Sequence, residues 1–312
     1  MTHTGDAEDV DAVEVSIVIV TWNAGHALRG CLESLHQQPP SGTWEAIVVD
    51  NASADDTVRM LAAEAPWARV ITNPENVGLA AANNQGLAAS RGRAILISNP
   101  DVLFSRGAID ALCDALDRHP RAAFVVPRLL HPDGRVQTSA GDLPSFREAL
   151  AGRAARRSGG SGAAARRGFW WDGWSHDEEV RIGHGAESCY IVRVIALSQI
   201  GPQDPRFFLD WEGIEWSRRA ARHGWEIWFC NNAEVTHRGG ESIRQNRLRW
   251  VVWSHAGMYR YFAPGMPAPL RPLVGLVVAA RALAKLASLA VGARLYERAN
   301  NSGDGATSDG KV

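Results

Sequence analysis

The chain has 312 residues, of which 46% are hydrophobic and 21% charged, a composition typical of a soluble globular protein with one large α/β domain or two smaller ones. Its 33 Lys and Arg residues are balanced by 34 Asp and Glu residues, which argues against a nucleic-acid partner bound through bulk positive charge. The four cysteines lie far apart without metal-ligand spacing, so we expect buried thiols in a reducing compartment rather than disulfides or a zinc site.

Residues 1–14 are acidic and polar. They lack the basic start and the apolar run of a signal peptide. We therefore expect a disordered N-terminal segment and a cytoplasmic protein.

Strands and helices alternate along the first hundred residues. The β-branched run at 15–21 predicts a strand buried on both faces of a sheet. Further strands are predicted at 44–49, 69–72 and 93–98, with helices between them, the third one at 79–89. This order predicts an α/β fold built from βαβ units, with a mostly parallel, doubly wound sheet.

The alternation weakens after residue 101. The predicted elements there are a helix at 106–118, a strand at 122–128, a strand at 186–193, a helix at 214–223, short strands at 226–230 and 233–237, and a long helix at 241–262. Residues 147–168 carry six arginines and several glycines, which predicts a flexible basic insertion. It is either a surface linker or a basic loop near an anionic acceptor or a membrane.

The last part of the chain, 263–299, is predicted to be a helical extension. Its apolar stretch from 270 to 295 is interrupted by four basic residues, so no run of 18 apolar residues predicts a membrane span. The stretch either packs against the globular domain or lies as an amphipathic helix on anionic lipid. Residues 300–312 are polar and expected to be disordered.

Ligands of open α/β sheets bind beyond the carboxyl ends of the strands. The turn after the first strand, TWNAGH, lacks the glycine spacing of a dinucleotide site, which disfavours hydride transfer. Asp50 and Asn51 close the second strand, either as turn formers or as acceptors for an N–H group of a pyrimidine ring.

Two further turns are candidate parts of a binding site. Asn76-Val77-Gly78 opens the third helix, either as a simple helix start or beside a diphosphate or ribose. Asp101 follows the fourth strand in the triplet Asn99-Pro100-Asp101. It is either an ordinary turn residue or a ligand for Mg²⁺ or Mn²⁺, hard cations that bridge nucleotide phosphates.

Four strings in order, VSIVIVTWN, VVDNASADDT, ENVGLAAANNQG and ISNPDV, resemble the nucleotide-binding half of family 2 inverting glycosyltransferases, which have the GT-A fold. The NPD triplet, where other members show DXD, is similar to the bacterial dTDP-rhamnosyltransferase branch. The strings GAESCYIVR, RFFLDWEGIEW and VTHRGGES extend the likeness, which covers about residues 15–262.

The resemblance implies a role for each matching residue. The residues implied to contact the nucleoside are Thr21, Asn23, Asp50 and Asn51, and the turn from Asn76 to Gly78 would lie beside the nucleotide. Asp101 would bind the divalent ion together with the diphosphate, and His237 would complete the metal site. A histidine at a strand end is otherwise an ordinary structural residue.

The expected catalytic base is where the chain departs from the family pattern, because Gly213 stands where relatives carry Asp. Inverting transfer needs a carboxylate that takes the proton of the acceptor hydroxyl. Of the nearby acids Asp210, Glu212 and Glu215, we expect Glu212 to be the base and Glu215 to be the second candidate. Glu215 alternatively pairs with Arg218 or Arg219 on the same helix, and Gly213 leaves open a catalytically impaired relative.

The resemblance thus implies an inverting glycosyltransferase that depends on Mg²⁺ or Mn²⁺ and acts in cell-envelope polysaccharide synthesis. The expected donor is dTDP-rhamnose, and the expected acceptor is a glycan or a saccharide on a polyprenyl diphosphate, which peripheral membrane contact would suit. The alternatives are UDP-GlcNAc or UDP-galactofuranose as donor, or a non-catalytic relative that binds nucleotide or glycan. The missing Gly-rich opening loop disfavours a sugar nucleotidyltransferase.

Overall fold

The computed structural model describes residues 12–152, 166–239 and 246–303. The strands in these ranges are β1 (Val15–Thr21), β2 (Trp44–Asp50), β3 (Arg69–Thr72), β4 (Ala94–Ser98), β5 (Val102–Phe104), β6 (Ala122–Leu130), β7 (Ala140–Gly141), β8 (Val180–Ile182), β9 (His184–Gly185), β10 (Cys189–Arg193) and β11 (Glu226–His237). The helices are α1 (Gly25–Gln37), α2 (Thr57–Glu64), α3 (Leu79–Ala89), α4 (Ala108–Arg118), α5 (Phe146–Ala151), α6 (Val194–Ile200), α7 (Glu212–Arg222), α8 (Arg247–Phe262) and α9 (Arg271–Gly303).

The main sheet has the strand order β3-β2-β1-β4-β10-β6-β11-β5, with β8 also paired to β11. Strands β1 to β4 pair in parallel, whereas β10 is antiparallel to both β4 and β6. Because β6 and β11 are parallel, β11 runs in the same direction as β1. The sheet is therefore mixed rather than mostly parallel, and the carboxyl ends of β1, β2, β4 and β11 all lie at one edge.

Hydrophobic cores cover both faces of this sheet. Side chains along β1 alternate between them, with Ile17 and Ile19 in one cluster and Val18 and Val20 in the other. Helices α1, α2 and α4 pack on the first face, and α3, α6 and α7 on the second. This is the doubly wound arrangement that the alternating sequence pattern predicts.

A third hydrophobic cluster joins helices α5, α8 and α9 to the loop that enters α7. Its members include Phe207, Trp211 and Ile214 at the start of α7, Met258 of α8, and Val274 of α9. The C-terminal helices therefore hold the loop that carries the predicted catalytic acids.

The predicted elements of the first half are confirmed to within a residue or two at each end. In the second half, β10 begins at Cys189 instead of 186, and α7 begins at Glu212, so the predicted base lies in its first turn. The two short strands predicted at 226–237 are one strand, β11, with a break in register between Cys230 and Glu234. All four cysteines are free thiols.

Parts of the predicted boundary segments lie outside the described residues, namely 1–11, 153–165 and 304–312. Residues 12–14, predicted to be disordered, are held, because the Glu14 N–H donates to the Thr43 carbonyl over 2.9 Å. The start of the predicted flexible insertion is α5, which begins with a capping box between Ser145 and Glu148. Helix α9 continues to Gly303, four residues beyond the predicted end of the extension.

Residues Ala268–Val291 meet the length and composition criteria for a helix that could cross a membrane, and 11% of their most apolar stretch is buried. The sequence analysis expects no membrane span here because basic residues interrupt the stretch. By length and composition a span is possible, because the stretch is apolar enough even with Arg281 and Lys285 in it. Both charged side chains line the central cavity described below. The exposed face of α9, by contrast, carries Leu273, Leu276 and Leu283.

Candidate active site

A cavity of about 920 Å³ opens at the carboxyl edge of the sheet. Thr21, Asn51 and Asp101 contribute to it from the strand ends, and His237 from the end of β11. The rest of the lining comes from the loop before β10, the loop that enters α7, and helices α8 and α9. From those elements the cavity is lined by Glu187, Ser188, Phe208, Asp210, Trp211, Glu212, Trp250, Trp253, Arg281 and Lys285, among others.

The nucleoside end of the predicted site contains two buried oxygen atoms without a hydrogen-bond partner among the described residues, Thr21 Oγ1 and Asp50 Oδ1. The two residues are neighbours in the parallel register of β1 and β2. The second carboxylate oxygen of Asp50 accepts the Ser53 N–H over 3.2 Å. Since buried polar groups are nearly always paired, these two oxygens fit a ligand that supplies donors.

Asn51 and Asn76 build the turn that opens α3. The Asn51 Oδ1 accepts the Val77 N–H over 3.0 Å, and the Asn51 amide donates to Asn76 Oδ1 over 2.9 Å. Gly78 has a φ of 87°, and a Cβ there would lie 2.8 Å from the Phe208 ring, so only glycine fits. Both asparagines line the cavity, but much of their hydrogen-bonding capacity shapes this turn.

Asn23 does not line the cavity. Its N–H donates to Ser53 Oγ over 2.8 Å and its side chain accepts the Ala54 N–H over 2.7 Å, which ties together the loops after β1 and β2. Asn23 and Ala52 both have positive φ angles, as do Asp210 and Trp211 before α7. Such strained non-glycine residues cluster at functional sites, and these four lie in the loops at this edge of the sheet.

Asp101 and His237 meet because β5, which starts beside Asp101, pairs with the end of β11. The Asp101 Oδ1 and the His237 Nε2 are 3.4 Å apart. The other oxygen of Asp101 accepts the Gly239 N–H over 3.0 Å. Both side chains line the cavity.

Gln137 orients the ring of His237. Its amide nitrogen donates to the carbonyls of Leu130 and His237, which turns its Oε1 towards His237 Nδ1 at 3.1 Å. Because an amide oxygen only accepts, Nδ1 donates this hydrogen bond, and Nε2 faces Asp101. One carboxylate oxygen and one imidazole nitrogen thus fit a divalent cation. The described residues contain no group of three or more His, Cys, Asp or Glu side chains that could hold a metal.

Two carboxyl groups in the cavity lining, Glu187 and Glu212, lie in contact with each other. Burial and the neighbouring Glu187 carboxylate raise the pKa of Glu212 well above its ordinary value, and its side chain is buried. Burial also raises the pKa of Glu187, but a hydrogen bond from Glu212 opposes that shift. Glu187 Oε1 accepts the Ile214 N–H over 3.2 Å. The Ile214 amide thus favours the ionised form of Glu187, whereas burial and the charge of Glu187 favour the protonated form of Glu212.

The other two predicted acids make different contacts. Asp210 accepts a hydrogen bond from the indole N–H of Trp250 over 2.7 Å, and burial raises the pKa of Asp210. Glu215 forms an ion pair with Arg219 over 2.9 Å, four residues further along α7, and is absent from the cavity lining. The structure thus places Glu212 at the cavity and Glu215 in the helix-surface pair considered as its alternative role.

Sequence reasoning missed Glu187, Trp250, Trp253, Arg281 and Lys285 as cavity residues. Glu187 is the sole acid in the string GAESCYIVR, which otherwise reads as a turn and a buried strand. The indole ring of Trp250 lies under Lys285, whose Nζ is 4.0 Å from the ring centroid. The cation of the C-terminal helix is thereby held at the cavity.

The fold is that of the GT-A glycosyltransferases. The mannosyltransferase PcManGT from Pyrobaculum calidifontis, solved with GDP-Man and Mn²⁺, superposes with a TM-score of 0.54 at 17% identity, covering 94% of this chain and 82% of that one. GalNAc-T7, solved with UDP, GalNAc and Mn²⁺, gives a TM-score of 0.53 at 17% identity, covering 73% of this chain and 44% of that one.

The sequence model described as "Glycosyl transferase family 2" matches residues 16–170, and the chain belongs to this glycosyltransferase family. It is 28% identical over 270 residues to the N-acetylglucosaminyl-diphospho-decaprenol L-rhamnosyltransferase of Mycobacterium tuberculosis. That match covers 79% of this chain and 83% of the relative.

Proposed function

We propose that this glycosyltransferase moves L-rhamnose from dTDP-rhamnose to a saccharide carried on a polyprenyl diphosphate, with inversion at the anomeric carbon. The likeness to the mycobacterial rhamnosyltransferase supports this donor and this acceptor class. The observation that carries the proposal is the single cavity, which joins Thr21 and the Asp101–His237 pair to a wall with carboxyl groups. A cavity of about 920 Å³ has room for a nucleotide sugar and the end of an acceptor.

The donor would bind along the carboxyl edge of the sheet. Asp50 would accept the N–H of the pyrimidine ring and the Thr21 hydroxyl would donate to a ring carbonyl, and Asn51 and Asn76 would hold the turn beside the ribose and diphosphate. Asp101 and His237 would hold Mg²⁺ or Mn²⁺, which when bound supplies positive charge to the departing nucleoside diphosphate. Asn23 would act indirectly by fixing the loops after β1 and β2.

The acceptor would enter from the side of α8 and α9, where the carboxyl groups lie. Inverting transfer requires a base on the face of the sugar opposite the diphosphate. The pair of Glu187 and Glu212 supplies carboxyl oxygens to the cavity that Asp101 also lines, whereas Glu215 is engaged with Arg219. We therefore propose that the base belongs to this pair.

Peripheral membrane contact through α9 completes the proposal. Two cationic residues, Arg281 and Lys285, line the cavity. On the outer face of α9, the side chains of Leu273, Leu276 and Leu283 are 57%, 69% and 66% exposed. A helix with an apolar outer face suits the surface of a bilayer, where a polyprenyl-linked acceptor resides.

The metal and donor assignments predict a thermal-shift pattern. A panel of dTDP-, UDP- and GDP-sugars with Mn²⁺ is expected to raise the melting temperature most with dTDP-rhamnose. EDTA or Asp101→Ala is expected to abolish that shift. EDTA removes the cation, and the variant lacks the carboxylate that lies 3.4 Å from His237 Nε2. Asp114→Ala, on the exposed face of α4, is the matched control and should behave as the wild type.

A shift that is insensitive to EDTA, with turnover also unchanged, would contradict the metal assignment. Stabilisation by UDP-GlcNAc or UDP-galactofuranose alone would replace the donor. Nucleotide binding without any sugar transfer would indicate a non-catalytic relative.

A further inference from the structure

Glu187 occupies the space next to Gly213 where any other side chain would begin. A Cβ atom built on Gly213 would lie 2.6 Å from Cγ and 2.7 Å from Cδ of Glu187. Separations below 3.0 Å require one of the two groups to move, so the Glu187 carboxylate keeps this position because residue 213 has no side chain. The loop before β10 thus delivers a carboxylate to the first turn of α7.

The start of α7 holds this carboxylate in place. Glu187 Oε1 accepts the Ile214 N–H over 3.2 Å, one of the amides that a helix leaves unpaired in its first turn. Amide donors at a helix N-terminus favour the ionised form of a carboxyl group. Glu187 also lines the cavity, where an acceptor hydroxyl would lie.

Glu212 has the opposite character. Its side chain is 1% exposed, and one of its oxygens has no hydrogen-bond partner among the described residues. Burial and the charges of Glu187 and Asp210 favour its protonated form. A protonated carboxyl group cannot accept another proton, but it can donate a hydrogen bond to Glu187.

We propose that Glu187 is the catalytic base of the transfer and that Glu212 is a positioning residue that donates a hydrogen bond to it. The proposal rests on the proposed function, since it names the base of that same inverting reaction. The acceptor hydroxyl gives its proton to the Glu187 carboxylate while its oxygen forms a bond to the anomeric carbon. The bond from that carbon to the diphosphate oxygen breaks, and its electron pair leaves with the nucleoside diphosphate.

The test compares three isosteric variants by kcat, KM for the donor and melting temperature. Glu187→Gln is expected to lower kcat by about 10²–10⁴, the usual worth of a general base, with donor KM unchanged. Glu212→Gln retains a donor for Glu187 and is expected to keep most of the turnover. Glu212→Leu loses that donor and is expected to lower kcat well below the Gln variant.

Azide separates proton abstraction from folding and donor binding. It is an anionic nucleophile that needs no base, so Glu187→Gln is expected to form the glycosyl azide as fast as the wild type does. Equal loss with azide and with the natural acceptor class would overturn the proposal. An active Glu187→Gln enzyme beside an inactive Glu212→Gln enzyme would also overturn it and would assign the base to Glu212.

The outcomes also separate this inference from the proposed function. All rates are expressed as ratios to the wild-type rate with the nucleotide sugar that the wild type transfers. If that sugar is not dTDP-rhamnose, only the donor assignment changes, and the test of Glu187 stands. If the wild type transfers no sugar from any donor in the panel, the proposed function fails, and the role of Glu187 fails with it.

Discussion

Two buried carboxyl groups in contact rarely ionise together, because the second charge is repelled by the first and neither is hydrated. In this chain the Ile214 amide favours the charge on Glu187, and burial and that charge favour the protonated form of Glu212. Asp210 and Tyr190 are titratable groups near the pair, and the cation of Lys285 favours the ionised form of Asp210. The raised pKa of Glu212 has a consequence for stability.

The pH dependence of stability is expected to reflect the raised pKa of Glu212. A carboxyl group whose pKa is higher in the folded state than in the unfolded state destabilises the fold as pH rises above the unfolded value. Glu212→Gln is therefore expected to raise the melting temperature relative to the wild type, increasingly as the pH rises above the ordinary glutamate pKa of about 4.3. Glu215→Gln, in its ion pair with Arg219, is the control and should show no such trend. A difference that is independent of pH would contradict the protonation of Glu212.

The close approach of Gly213 to Glu187 predicts that a side chain at position 213 lowers turnover. Gly213→Ala is expected to displace the Glu187 carboxylate and lower kcat, because the new Cβ would lie 2.6 Å from Glu187 Cγ. The nucleotide-induced thermal shift should be unchanged, since Gly213 does not line the nucleotide end. Gly265→Ala, which meets nothing within 4 Å, is the matched control. Unchanged turnover in Gly213→Ala would show that the Glu187 position is not critical.

Part of this site is predictable from the sequence. Thr21 and Asp50 end β1 and β2, and Asp101 follows β4, and these three parallel strands are neighbours in the sheet. Because parallel strands end at the same edge, the proximity of the three residues follows from the alternating pattern. Glu187 is not predictable in this way. Its contact with Gly213 depends on how the loop before β10 crosses the start of α7, which local periodicity does not specify.

At the scale of elements, α9 differs most from what its sequence predicts. Its periodicity indicates an amphipathic helix, but Arg281 and Lys285 point to the cavity and the leucines point to solvent. The arginine donates to the Leu150 carbonyl over 2.8 Å, which anchors α9 on α5. The face of α9 that packs against the protein therefore carries these two cations beside the buried Val274 and Val278, which sequence alone could not show.

This orientation predicts membrane binding through the exposed leucines. The protein is expected to sediment with vesicles that contain anionic lipid, and Leu276→Asp with Leu283→Asp is expected to reduce the bound fraction. Val58→Asp, at an exposed apolar residue on α2, is the control and should bind as the wild type. If the double variant and the wild type sediment equally, or neither binds, α9 is not a membrane contact.

At the scale of the whole molecule, the antiparallel strand β10 separates the parallel strands β1 to β4 from β6 and β11, which run in the same direction as β1. The strands around β1 form the proposed donor side, and because β10 is antiparallel, the loop with Glu187 that precedes it lies at the same edge of the sheet. Strand β11 then returns parallel to β6 and delivers His237 to the same edge as Asp101. The sequence predicts the first half well because its βαβ pattern is regular. The mixed second half depends on long-range pairing that no local pattern encodes.

The most direct test of rhamnosyl transfer at this cavity is the identity of the product. Wild-type protein is incubated with dTDP-rhamnose, Mn²⁺ and N-acetylglucosamine on a polyprenyl diphosphate, and the product is analysed by mass spectrometry and NMR. The account predicts a lipid-linked disaccharide whose rhamnose has the anomeric configuration opposite to that of the donor, and its loss in Asp101→Ala. Transfer with retained configuration, or transfer only from another nucleotide sugar, would contradict it.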